Sequence, residues 1–159
     1  PRGELTVPGM TADEARRRFA AARVARLATV GPGGRPHLVP VVFAQHEGTI
    51  VTAVDHKPKR SHRLRRLHNI AAHPAVCLLA DAYDENWDHL WWVRADGGAR
   101  IVSPDTTVEE LREEYAAAIE LLRRKYPQYA SRPPDGPVIV VTVLHWSGWR
   151  ATAEDDETD

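Results

Sequence analysis

The sequence predicts a mainly β, α+β protein in which six strands form an antiparallel barrel with helices at its periphery. Three observations lead there. Short runs of strand-forming residues are punctuated by glycine and proline turns. The helical patterns fall in the order α-β-β-β-α-β-β-α-β, which lacks the strict alternation of a parallel sheet. Finally, 159 residues, 43% hydrophobic and 27% charged, suit one domain around one buried core. A single domain over residues 1–159 is therefore expected, with 1–10 and 152–159 as tails.

Each element has a local cause. Thr11-Ala12-Asp13-Glu14 reads as a capping box, and Ala15, Phe19 and Ala22 recur at helical spacing, predicting a helix over residues 11–22. Residues 24–30 form a strand, Gly31-Pro32-Gly33-Gly34 a turn, and residues 36–44 the returning strand of a hairpin. After the turn at His46-Glu47-Gly48 a third strand runs over 49–54 and ends at Asp55 and Pro58. Leu64, Leu67 and Ala71 then mark a helix over 61–72, stopped by Pro74. Residues 75–81 read as a buried strand and 89–103 as a long strand bent near Gly97-Gly98. Ser103-Pro104-Asp105-Thr106 opens the longest helix, which Pro127 ends, and residues 138–144 form the last strand.

Bulk properties exclude several classes of function. A net charge of -1 argues against a dedicated nucleic-acid binder. No apolar run reaches the eighteen or so residues of a membrane span, and Pro1-Arg2-Gly3-Glu4 lacks the apolar core of a signal peptide. The single cysteine, Cys77, allows no intrachain disulfide and reads as a strand thiol, so a cytoplasmic location is expected.

The chemistry concentrates in His56 to His68, which carries six Lys or Arg and no carboxylate between a strand and a helix. Guanidinium forks, ammonium groups and the N–H groups of a helix start all suit a phosphate; a solvated basic face is the other reading. Gly31, Gly33 and Gly34 do not make a dinucleotide loop, because Arg35-Pro36 stands where a helix should begin. His62 and His68 point about 120° apart on one helix, and there is no H-E-x-x-H, so no metal site is expected. No G-x-S-x-G is present, so any catalysis requires a cofactor. The five tryptophans suit a core, a dimer seam or the walls of an aromatic pocket.

Arg26-Leu27-Ala28-Thr29-Val30, Arg35-Pro36-His37-Leu38-Val39-Pro40-Val41 and Arg66-Leu67-His68-Asn69-Ile70-Ala71-Ala72-His73-Pro74-Ala75-Val76 together resemble the pyridoxamine 5'-phosphate oxidase-like superfamily. The long basic loop and the Trp87 to Arg94 stretch resemble its coenzyme F420-dependent oxidoreductases. The resemblance spans residues 11–149 and implies the FMN-binding split barrel as fold.

It further implies a homodimer with a cofactor at the seam, either F420, a deazaflavin, or FMN. By the same resemblance, Val39, Pro40, Val41 and Val42 line the ring. Thr52, Ala53 and Val54 reach the ribityl and phosphate portion, and Arg66 contacts the phosphate, with Lys57, Lys59 and Arg60 on its approach; Ser61, from its own chemistry, suits both a cap for that helix and a hydroxyl donor to the phosphate. Trp87, Trp91 and Trp92 close the pocket from the same or the neighbouring subunit. The activity implied is hydride transfer from reduced F420 to an electron-poor organic acceptor. An FMN-dependent oxidase or reductase and a non-catalytic binder of flavin, deazaflavin or haem are the alternatives. No catalytic residue stands out; Tyr83, His89 and His37 are weak proton-donor candidates.

Overall fold

The computed structural model describes residues 9–54 and 60–152, with residues 60–64 described by their backbone alone. Thr11 caps α1 (Ala12–Ala21) by accepting the Glu14 N–H at 3.1 Å, as the capping-box pattern predicts. There follow β1 (Ala25–Val30), β2 (Pro36–Val41), β3 (Ala44–His46), β4 (Thr49–Ala53), α2 (Arg60–Ala72), β5 (Ala75–Ala82) and a 3-10 turn (Trp87–His89). The chain ends with β6 (Trp91–Val102), α3 (Glu109–Lys125), α4 (Pro127–Ser131) and β7 (Val138–Arg150).

All strand pairs are antiparallel, in the order β2-β1-β5-β6-β7-β4-β3. The sheet thus has seven strands, not six, because the predicted strand 36–44 breaks at Val42-Phe43. The break has a physical cause. The Phe43 N–H donates to the Tyr126 hydroxyl at 3.0 Å, and that hydroxyl lies 2.9 Å and 3.0 Å from the carbonyls of Phe43 and Arg23. The Thr52 hydroxyl donates to the Val42 carbonyl at 2.7 Å. Backbone groups committed to side chains are lost to a ladder.

This corner also curls the sheet. β2 and β3 are its two opposite edges, yet Val41 and Ala44 are three Cα steps apart, which span at most about 11 Å. Opposite edges so tied cannot belong to a flat sheet, and the result is a split barrel. One core lies between α1 and the sheet, with Phe19 against Phe43 at 4.7 Å and Trp146 at 5.4 Å between ring centroids. A second lies under α3 and α4, built on Leu122, Tyr126, Tyr129, Val138 and Val140.

Other boundaries also differ from expectation. β7 continues to Arg150, because a bulge opposite Asp96/Gly97 absorbs one residue and pairing resumes to Trp91↔Arg150. Gly97 is needed there, since a Cβ would lie 2.2 Å from the Thr142 carbonyl oxygen. α3 starts at Glu109, not near Ser103: the Ser103 and Thr106 side chains accept from the backbone N–H groups two residues ahead of each, and so make turns instead of a cap. Pro127 opens the short α4 as well as ending α3. No helix among the described residues is long and apolar enough to cross a membrane.

Candidate functional site

The Thr52 hydroxyl of β4 reaches the Val42 carbonyl just beyond β2 at 2.7 Å, and the basic segment follows β4 in sequence. Val39 and Val41 face the core beneath the sheet, while Pro40 is exposed on its outer side. As β2 is an edge strand, the backbone groups on its free side are available to a ligand. Val42 is half-buried, and the hydroxyl of Thr52 holds its carbonyl. Thr52, Ala53 and Val54 are buried, and the Val54 N–H donates to the Pro137 carbonyl at 2.9 Å. The close approach of Gly136, where a Cβ would lie 2.6 Å from the Val54 oxygen, locks this strand end from behind.

Lys57 and Lys59 lie outside the described residues, as do the side chains of Arg60 and Ser61. Arg66 is half-buried on α2. The same helix carries the exposed Arg65 and His68 to a cavity of about 880 Å³, lined also by Gly31, Pro32, Gly33, Arg35, Leu67 and Asn69. Sequence reasoning read that turn only as a hairpin connection. Its carboxylate-free flanks were the signal available for more.

The three tryptophans are not brought together. Trp91 is half-buried against the core beneath Arg18, whose guanidinium carbon lies 5.6 Å from the ring centroid. Trp92, the next residue of the strand, faces the opposite side near Arg94, at 5.9 Å, and pairs in register with Trp149. Trp87 is exposed in the 3-10 turn. Of the proton-donor candidates, Tyr83 and His89 are exposed on the β5–β6 connection, where the His89 Nδ1 lies 3.0 Å from an Asp84 carboxylate oxygen. His37 is half-buried on β2 in register with Thr29.

The outer face of the sheet carries an apolar patch. In register across β2, β1 and β5 lie Leu38, Ala28 and Cys77, and in the adjacent row Pro40, Arg26 and Leu79. Leu38 is 66% exposed, and Leu144, at the bulge, 80%. The charges among them pair locally, Arg26 with Asp81 at 3.4 Å and Arg94 with Asp96 at 3.1 Å. Burial and then the Asp96 carboxylate push the Cys77 thiol above its ordinary pKa, which disfavours a reactive thiolate.

Solved structures share this fold. An FAD-binding protein of Mesorhizobium loti superposes with a TM-score of 0.69 at 18% identity, covering 91% of this chain and 97% of that one. A conserved hypothetical protein of Mycobacterium tuberculosis gives 0.70 at 19% identity, covering 99% and 98%. The haem storage protein HutZ of Vibrio cholerae gives 0.62 at 17% identity, covering 87% and 90%. No curated protein sequence matches the chain. The family model of pyridoxamine 5'-phosphate oxidase matches residues 11–150, nearly the whole chain, and the protein belongs to that family.

Proposed function

We propose that the protein is an oxidoreductase that binds a flavin-type coenzyme and uses reduced F420 to deliver hydride to an electron-poor organic acceptor. The observation that carries the reading is the delivery of the β4 end, beside edge strand β2, into a thirteen-residue segment with six cations and no carboxylate. An edge strand lends backbone to a planar ring, and cations at the start of α2 suit a phosphate. The longer anionic tail of F420 accounts for more cations than a phosphate monoester requires.

The coenzyme supplies the hydride chemistry that this chain's side chains lack. The chain's part is to hold. The Thr52 clamp on Val42 and the Gly136-Pro137 buttress on Val54 fix the strand ends, so a ring laid along them keeps one position. A second copy of the chain on the outer sheet face would complete the pocket, with Trp92 and Trp149 at the seam.

Two competing readings remain within the family: FMN as the coenzyme, and non-catalytic storage of a flavin, deazaflavin or haem. Similarity to the FAD-binding and haem storage proteins supports them. The discriminating experiment is a titration with oxidised F420, FMN and haem, followed by tryptophan fluorescence and by absorbance. Quenching by F420 with acceptor reduction is expected. A yellow protein as isolated selects FMN, a Soret band selects haem, and quenching by neither F420 nor FMN removes the oxidoreductase reading. Lys57→Glu is expected to weaken coenzyme binding about tenfold with the melting temperature of the coenzyme-free protein unchanged.

A further inference from the structure

Two tyrosine hydroxyls on α3 bond to backbone beside the strand ends assigned to the coenzyme, and to nothing else among the described residues. Tyr126, 7% exposed, stands at the end of the helix. Its hydroxyl accepts from the Phe43 N–H at 3.0 Å and lies 2.9 Å and 3.0 Å from the carbonyls of Phe43 and Arg23. It therefore grips the residue directly after Val42 and ties it to the chain two residues ahead of β1. The Arg23 guanidinium completes the tie, 5.2 Å from the Tyr126 ring centroid and donating to the Lys125 carbonyl at 3.1 Å.

Tyr115 lies eleven residues earlier, about 16 Å along the helix axis. Its hydroxyl donates to the Gly136 carbonyl at 2.9 Å. Gly136 backs onto Val54 so closely that a Cβ would sit 2.6 Å from the Val54 oxygen, and the Val54 N–H donates to the next carbonyl, that of Pro137, at 2.9 Å. Tyr115 thus holds the link that holds Val54, the last described residue before the basic segment.

The rings alone do not explain these residues. Phenylalanine would pack equally well against Tyr129, whose ring meets that of Tyr126 edge-on at 5.9 Å. What the hydroxyl adds is placement of backbone. Both hydroxyls keep the proton they donate: burial raises each pKa, reinforced at Tyr115 by the Asp135 and Asp105 carboxylates and opposed at Tyr126 by the Phe43 backbone and Arg23. One helix therefore fixes two points, one beside Val42 and one behind Val54, and the Thr52–Val42 clamp joins them.

We infer that Tyr115 and Tyr126 are positioning residues for the coenzyme, α3 serving as a strut that sets the spacing between the Val42 and Val54 strand ends. They act through Gly136 and Phe43, not by contact with the coenzyme. The inference deepens the coenzyme reading and rests on it. A ring and a phosphate belonging to one rigid molecule are bound together only when the backbone meeting each is held at one separation.

Tyr115→Phe and Tyr126→Phe keep the rings and remove the hydroxyls. The full chain and both variants are titrated with oxidised F420 and with FMN well below their melting temperatures, beside Val76→Ala, a buried change on β5 that serves as a control for lost stability. Each tyrosine variant is expected to lose about tenfold in affinity for whichever coenzyme the wild type binds, the scale of one hydrogen bond, whereas Val76→Ala lowers the melting temperature alone. At saturation the visible absorption band of the bound coenzyme should move toward that of the free one in the tyrosine variants, which lost stability by itself does not produce. In the coenzyme-free protein, amide exchange should rise over Val41 to Ala44 in Tyr126→Phe and at Ala53 and Val54 in Tyr115→Phe, with β5 and β6 unchanged. Wild-type affinity in either variant, an equal loss in Val76→Ala, or a uniform rise in exchange would overturn the inference. A wild type that binds neither coenzyme removes the coenzyme reading and this inference together, whereas unaffected variants beside a binding wild type remove this inference alone.

Discussion

Lys125 shows how one residue can be held at a cost. Its ammonium nitrogen is buried without a hydrogen-bond partner among the described residues, 3.6 Å from the Phe43 ring centroid. Burial first, and then the Arg23 guanidinium, lower its pKa to about 8. The unfolded chain keeps an ordinary lysine near 10.4, so between these values the unfolded state binds more protons and stability rises with pH. The cost is complete below pH 8, where both states are charged, and the ring face offsets part of it. Lys125→Met keeps the stem's packing and removes the charge. It should stabilise the fold by roughly 0.5–1 kcal/mol after allowance for solvent screening, and flatten the rise in melting temperature between pH 8 and 10. A lower melting temperature for the variant would show that the cation–ring contact dominates. Sequence gave no hint of this: Lys125 reads as an ordinary cation in the last turn of a helix, and only the return of the chain at Phe43 buries it.

At the scale of elements, what was legible followed from local rules and what was missed followed from pairing. The Thr11 cap, the Pro74 stop and the Gly31–Gly34 turn act within a few residues, and the structure has them. The extension of β7 past Leu144 depends on β6 lying alongside, and Gly148, which reads as a breaker, is there because a Cβ would meet the Met10 sulfur at 2.8 Å. The site shows the same division. The basic segment was visible as composition, but adjacent Trp91 and Trp92 could not line one pocket wall, because consecutive strand residues face opposite ways.

The join of α1 to the end of β7 illustrates an element held by charge. Glu14, 7% exposed, accepts from Arg18 at 3.2 Å and Arg150 at 3.0 Å, and Arg150 also donates to the Gly9 carbonyl at 3.1 Å. Glu14→Gln leaves a largely buried guanidinium without its counter-charge and should cost about 3 kcal/mol in urea denaturation. Adding Arg150→Met should restore most of that; an unchanged loss would place the effect in the helix instead.

For the whole molecule, the outer sheet face is the surface on which a second copy of the chain would pack. Leu38, Leu79 and Leu144 are exposed there, and its charged residues pair with each other on the same face, so covering it strands no charge. A surface that is apolar and locally neutral suits a copy of itself, since a two-fold partner presents the same patch. Light scattering after size exclusion should therefore give twice the 17.8 kDa chain mass. Leu79→Lys, in register between Arg26 and Arg94 at the centre of the patch, should yield a folded monomer, because an unpaired ammonium beside two guanidinium groups would be buried twice at such a seam. If the coenzyme lies between the copies, the monomer should also lose coenzyme binding. A wild-type monomer that still binds coenzyme would remove the seam from the argument and leave the edge of β2 and the start of α2 to hold the ring unaided.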